Sequence, residues 1–204
     1  MPIFTDFISA FLTRMEERHC VAYIPCKRRN FDGHGNAGDC GEPVGQSGVT
    51  IGAGLDLGQQ GEADLRRMGL EMELINLFRP YLGKKRHGAV AALGKSPLTI
   101  TESQCDAVNR AVHTDYIRRG ADLYDRYTES KSFADCPAQA QAVIVSLFYQ
   151  LGLPFPSADR HGYPVLYGHL CRGDWQAAAL ELKTGFKKYI YRRRQEGELL
   201  EGIA

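Results

Sequence analysis

The chain has 204 residues, a mass of 22.7 kDa, and 25 Lys+Arg against 24 Asp+Glu for a formal charge of +1. That length can bury a substantial core without metals or disulfides, and 44% hydrophobic with 24% charged residues excludes general disorder, collagen-like and coiled-coil architectures. The near-neutral balance removes the global basic field expected of many nucleic-acid binders. No apolar run approaches the roughly 20 residues that span a bilayer, so neither nucleic-acid binding nor stable membrane insertion is expected.

In chain order, Phe7, Ile8, Phe11, Leu12 and Met15 recur at helical spacing behind Thr5, predicting an amphipathic helix over Thr5 to His19. Asp6 sits early and no basic region precedes an apolar stretch, so a secretory signal is not expected. Cys26 to Gly48 turns to Gly, Asp, Asn and Arg and predicts a long irregular loop or a loose hairpin. Val49 to Leu57 reads as extended, and Gly61 to Leu82 returns to helical periodicity until Pro80 ends it.

Thr101 and Gln104 have capping-box spacing and open a long helix over Glu102 to about Tyr127. Asp135 and Pro137 mark a further helix start, leading into the apolar run Ala142 to Leu151, the expected buried central helix. Pro154, Pro156 and Pro164 predict a loop. Asp174 is placed to cap a helix through Trp175 and Leu182, and a last helix is expected near Tyr191 to Leu200. One extended region followed by helices favours an α+β protein, with a small mixed lobe over about 20–80 and a helical lobe over about 81–204 plus the N-terminal helix. A cleft between lobes is the default place for a site.

The most informative segment is Ser47 to Gln59, SGVTIGAGLDLGQ. In a strand Thr50, Gly52, Gly54 and Asp56 share one face, opposite Val49, Ile51, Ala53, Leu55 and Leu57. The two glycines leave room for a ligand or another chain to approach the backbone. A straight strand would hold Thr50 and Asp56 about 20 Å apart, too far for one centre, so joint action requires a bend at Gly52 or Gly54. Read by itself, the segment is a glycine-rich strand or a tight hairpin with a capping Asp, and the structural reading comes first. It lacks the GxxxxGK[ST] and GxGxxG phosphate-binding patterns.

This segment resembles the pesticin-type muramidase domains, which are similar to phage-type lysozymes. It is preceded by Met15-Glu16-Glu17 and Tyr23-Ile24-Pro25. Leu98 to Thr101, Leu147 to Gly152, Gly173 to Ala178 and Arg192 to Glu196 follow in that family's order. The resemblance spans nearly the whole chain and implies a lysozyme-like α+β fold, a mixed lobe with a β-hairpin beside a larger helical lobe. It also implies hydrolysis of the β-1,4 bond between N-acetylmuramic acid and N-acetylglucosamine in peptidoglycan, with no cofactor and no metal.

By the same resemblance Glu16 would be the general acid, Asp56 the base or electrostatic partner, and Thr50 the holder of the attacking water. Gly52, Gly54 and Gln59 would line the substrate path. Glu17 stands where the family has Gly, which leaves Glu17 as an alternative acid. If the order of phage lysozymes proper applied, Asp39 or Glu42 would replace Asp56. Glu16 falls four residues after Leu12, beside the buried stripe, where desolvation favours a protonated carboxyl.

The cysteines leave further alternatives. A disulfide closing the 14-residue separation of Cys26 and Cys40 would contribute about 3 kcal/mol in the chain-entropy model; otherwise both are free thiols. His19, Cys20, Cys26, His34 and Cys40 have the atom types of a zinc site without a standard spacing. Basic groups at Arg28-Arg29, Lys84 to Arg86, Lys187-Lys188 and Arg192 to Arg194 would attract an anionic wall polymer or stand as solvated faces, Arg192 to Arg194 pairing with Glu196 and Glu198.

A noncatalytic peptidoglycan-binding module, a phage endolysin and a nucleic-acid-binding helical protein are the competing functions. The expected setting is the periplasm of a target bacterium, reached through a secretion system or as part of a larger protein. A cognate immunity protein would then be a partner.

Overall fold

A computed structural model describes residues 2–16, 18–26, 42–151 and 163–203. The chain divides into two compact units, Met1–Met15 with Tyr116–Ala204, and Glu16–Asp115.

The second of these is mixed. Strands β1 (His19–Tyr23), β2 (Thr50–Gly52) and β3 (Leu55–Asp56) form an antiparallel sheet in the order β1-β2-β3. Helices α2 (Glu62–Arg67), α3 (Met72–Phe78) and α4 (Arg86–Lys95) follow, and residues 102–115 of α5 (Glu102–Tyr127) complete the unit. Val49, Ile51, Ala53, Leu55 and Leu57 are all buried, so the apolar alternation of the glycine-rich segment is a core pattern. Thr101 and Gln104 make the reciprocal capping box that their spacing predicts: Gln104 N donates to Thr101 Oγ1 at 3.2 Å and Thr101 N donates to Gln104 Oε1 at 2.9 Å.

The other unit is helical. It holds α1 (Thr5–Met15), residues 116–127 of α5, α6 (Ala138–Leu151), α7 (Pro164–Arg172), α8 (Trp175–Thr184) and α9 (Ile190–Glu201). In α6 every residue from Ala140 to Phe148 is buried, so it is the central helix, and Ile8, Phe11 and Leu12 of α1 pack in the same core. Arg192, Arg193 and Glu196 are buried too. Glu196 accepts from Ser146 Oγ at 2.6 Å and pairs with Arg193 at 3.0 Å and Arg192 at 3.3 Å. Arg192 and Arg193 therefore hold α9 to α6, while exposed Arg194 pairs with Glu198 at 3.0 Å.

Four elements differ from the sequence expectation. Helix α1 stops at Met15, and His19 lies in β1 because residues 19–23 find backbone partners on both edges, in β2 and in the segment 98–100. The Gly61 to Leu82 stretch is two short helices, parted at Gly69, whose φ of +80° lies in the left-handed region that glycine accepts. Helix α4 is unexpected: its sequence is rich in Ala and Gly, and only Ala89 and Leu93 are buried. Pro164 starts α7 and does not lie in a loop, since its missing N–H costs nothing in the first turn.

His113 on α5 is 2% exposed, and burial lowers its pKa from 6.5 to about 4. Between those values the unfolded chain takes up a proton that the folded chain refuses. Stability is therefore full above about pH 6.5 and falls as pH drops towards 4, by about 2–3 kcal/mol from this residue. Urea titrations at pH 7 and pH 4.5 should show the loss, and His113→Gln should remove this share of the pH dependence.

Candidate active site

The glycine-rich segment is a hairpin, not one straight strand. Gly52 and Gly54 have φ of +64° and +92°, and the turn they make pairs Ile51 with Leu55 and Thr50 with Asp56. Opposed Cα atoms of an antiparallel pair lie roughly 4.5–5.5 Å apart. The two residues that a straight strand would separate by about 20 Å are thus direct cross-strand neighbours.

Asp56 is half-buried, and its carboxylate is fixed by backbone amides. Gly48 N donates to Oδ1 at 3.1 Å and to Oδ2 at 3.2 Å, and Gly58 N donates to Oδ1 at 2.9 Å. The last contact also caps the 3-10 turn Leu57–Gln59, so the capping reading of this aspartate holds locally. Such a grip needs close backbone approach. A Cβ on Gly48 would stand 2.4 Å from Gly58 Cα, and one on Gly58 would stand 2.5 Å from Lys84 O and 2.7 Å from Gly48 Cα. The need for glycine at these two positions was not legible in the sequence, because the backbone that each must avoid is brought close only by the fold.

Thr50 is 3% exposed, and its hydroxyl donates to Gly48 O at 3.3 Å. With its proton so engaged, Oγ1 keeps lone pairs that can accept from water. On the other side of β2, Tyr23 of β1 stands opposite Thr50, and its ring lies 4.5 Å from that of His19.

Glu16 is half-buried in the bend that joins α1 to β1 and belongs to the same unit as Thr50 and Asp56. Of the alternatives, Glu17 and Asp39 lie outside the described residues, and Glu42 is exposed and ion-paired with Arg86 at 3.2 Å.

The expected substrate-lining residues separate by environment. Gly54 and Gln59 are exposed, and Gln59 Nε2 donates to Gln46 O at 2.7 Å. Gly52 is buried, and the chain that approaches it is α5: an added Cβ would meet Asn109 Oδ1 at 2.6 Å and Val108 Cγ1 at 3.1 Å. Asn109 Oδ1 also accepts from Ala53 N at 2.8 Å, so α5 holds the hairpin turn directly. No spacing rule points from residue 109 to residue 53.

Cys26 is disulfide-bonded, and its expected partner Cys40 lies outside the described residues. A disulfide sulfur offers no thiolate for the zinc reading, and His34 is likewise undescribed. The ends of the intervening segment are joined by a Cys26–Pro43 bridge and by Val44 N donating to Pro25 O at 2.8 Å. Among the remaining basic groups, Arg28 and Arg29 are outside the described residues, while Lys84, Lys85, Lys187 and Lys188 are exposed.

Two substitutions away from the carboxylates test this scaffold. Gly58→Ala should destabilise the fold by about 2 kcal/mol through overpacking against backbone that cannot yield. Asn109→Ala should cost about 0.5–1.5 kcal/mol by removing the buried hydrogen bond to Ala53 N. Chemical denaturation measures both, and a neutral Gly58→Ala would contradict the close approach.

The family model that describes bacterial-toxin homologues of phage lysozyme, the pesticin C-terminal domain, matches residues 27–176. Thr50 and Asp56 fall inside the matched span and Glu16 ahead of it. No curated protein matches the sequence significantly. With a three-stranded antiparallel sheet in a mostly helical chain and a match over more than half its length, the protein belongs to the pesticin family of phage-lysozyme homologues and has its lysozyme-like α+β fold.

Proposed function

We propose that the protein is a muramidase that hydrolyses the β-1,4 bond between N-acetylmuramic acid and N-acetylglucosamine. The observation that carries this reading is the Thr50–Asp56 cross-strand pair, set within the family's own span. Glycoside hydrolysis of the inverting kind needs an acid at the leaving oxygen and a base that activates water on the opposite face of the sugar. Glu16 serves as the acid. Asp56 is the base, its carboxylate fixed by three hydrogen bonds from the Gly48 and Gly58 amides, which leave it an acceptor site for water.

Thr50 completes the water site. A water that donates one hydrogen to Thr50 Oγ1 and the other to Asp56 directs its own lone pair away from both, towards the anomeric carbon. As that oxygen attacks, Asp56 takes its proton while Glu16 gives one to the departing sugar oxygen. Gly54 and Gln59 line the approach, and Gly52 acts by letting α5 brace the turn.

The family description is of a bacterial toxin homologue, which favours an antibacterial toxin acting in the periplasm of a target cell over an endolysin. On this reading peptidoglycan is the substrate, and an immunity protein and a secretion route accompany the toxin.

Purified protein should clear suspensions of Gram-negative sacculi and release muropeptides with reducing N-acetylmuramic ends by mass spectrometry. Glu16→Gln and Asp56→Asn should each lower the rate by orders of magnitude. Asp56→Asn keeps the Oδ1 contacts to both amides but faces Gly48 N with a second donor, so a stability loss of only about 1 kcal/mol is expected beside it. Binding of sacculi without new reducing ends would establish a noncatalytic binder instead, and cleavage in the stem peptide would overturn the glycosidase reading.

A further inference from the structure

Strand β1 is bound on its outer edge by the segment that leads into α5. Ala22 N donates to Leu98 O and Ile100 N to Cys20 O, both at 2.9 Å, with an antiparallel bridge between Val21 and Thr99. Arg18 adds ion pairs to Glu102 and, at 2.9 Å, to Asp106 on the first turns of α5. This seam brings two cysteines together from positions 85 residues apart.

Cys20 Sγ lies 3.3 Å from Glu102 Oε1, and Cys105, one turn further along α5, places its Sγ 3.8 Å from the carbonyl oxygen of His19. That carbonyl belongs to the peptide bond that joins His19 to Cys20, so the Cys105 sulfur lies against the backbone that carries Cys20. Both are free. The other free thiols among the described residues, Cys136 and Cys171, belong to the helical unit and are buried; the Cys136 thiol faces Tyr124 and Ser132.

We propose that Cys20 and Cys105 are an oxidation site and form a disulfide that fastens β1 to α5 when the protein meets a low-molecular-weight disulfide oxidant. Half-buried Cys20 reacts first. Its thiolate attacks one sulfur of the oxidant and releases the other as a thiol, leaving a mixed disulfide on Cys20. Cys105 then loses its proton and attacks the Cys20 sulfur, expelling the second oxidant thiol. Two protein thiols are oxidised and one oxidant disulfide is reduced to two thiols, so electrons and protons balance. The order follows from access, because Cys105 is fully buried and burial holds its thiol at about 11.

The bond would close a long loop across the whole mixed unit, and loop closure stabilises most where the chain between the cysteines is long. It would also hold the strand that carries Tyr23 opposite Thr50 and that Glu16 leads into. In an oxidising compartment the pair would persist as the disulfide, and in a reducing one as thiols. None of this depends on the muramidase reading.

The test is peptide mapping of the full chain after incubation with oxidised glutathione and alkylation, using trypsin with chymotrypsin so that cleavage after Tyr23 separates Cys20 from Cys26. A Cys20–Cys105 cross-link that dithiothreitol removes is expected, with a melting temperature higher by on the order of 10 °C than that of the dithiol form. Cys20→Ser and Cys105→Ser should each abolish the cross-link and the added rise while Cys26 remains bridged. Alkylation of both thiols after oxidation, a stable glutathione adduct on Cys20 beside an alkylated Cys105, or a Cys20–Cys26 link would each overturn the proposal.

Discussion

The hairpin of the mixed unit is held by one carboxylate gripping two stretches of backbone. Asp56 accepts from the amides of Gly48 and Gly58, which approach so closely that a Cβ on either glycine would overlap main-chain atoms. Neighbouring bonds hold the same backbone: Leu57 N donates to Val49 O at 2.8 Å, and Arg86 N donates to Ser47 O at 2.8 Å, which ties the start of α4 to the same loop. A carboxylate bonded to fixed amides loses little freedom when it binds water, and such preorganisation is what a catalytic base requires. One interaction thus serves both the fold of the hairpin and the chemistry proposed for it.

Support for the hairpin comes from two further directions. Its turn is braced by Asn109 of α5, which occupies the space a side chain at residue 52 would need. Its outer edge is covered by β1, whose far side is in turn bonded to residues 98–100 and, through Arg18, to the start of α5. The long helix is therefore the common reference for sheet and turn alike. Cys20 and Cys105 lie in this same seam, where a covalent link would join the sheet to the helix.

The sequence made the strongly periodic parts legible and the contact-dependent parts not. Helices α5 and α6 were readable because a capping box and a long apolar run are local signals. The end of α1 was not, since its residues are good helix formers and only pairing partners distant in the chain turn 19–23 into a strand. Helix α4 offers too few large apolar side chains to show a period. In the candidate site, Thr50 and Asp56 were visible as a motif, and the need for a bend if they act together followed from strand geometry alone. Gly48, Gly58 and Asn109 were invisible, because each matters through an atom it meets across a fold that had first to be built.

The central claim is that Thr50 and Asp56 present a water to the sugar face opposite the acid. Proton NMR of the first products released from a β-linked peptidoglycan glycan strand reads this directly, through the configuration of the new anomeric centre before mutarotation. Direct attack by that water predicts the α-anomer, the inverted product. A β-anomer would require a covalent or substrate-assisted intermediate and would contradict the account.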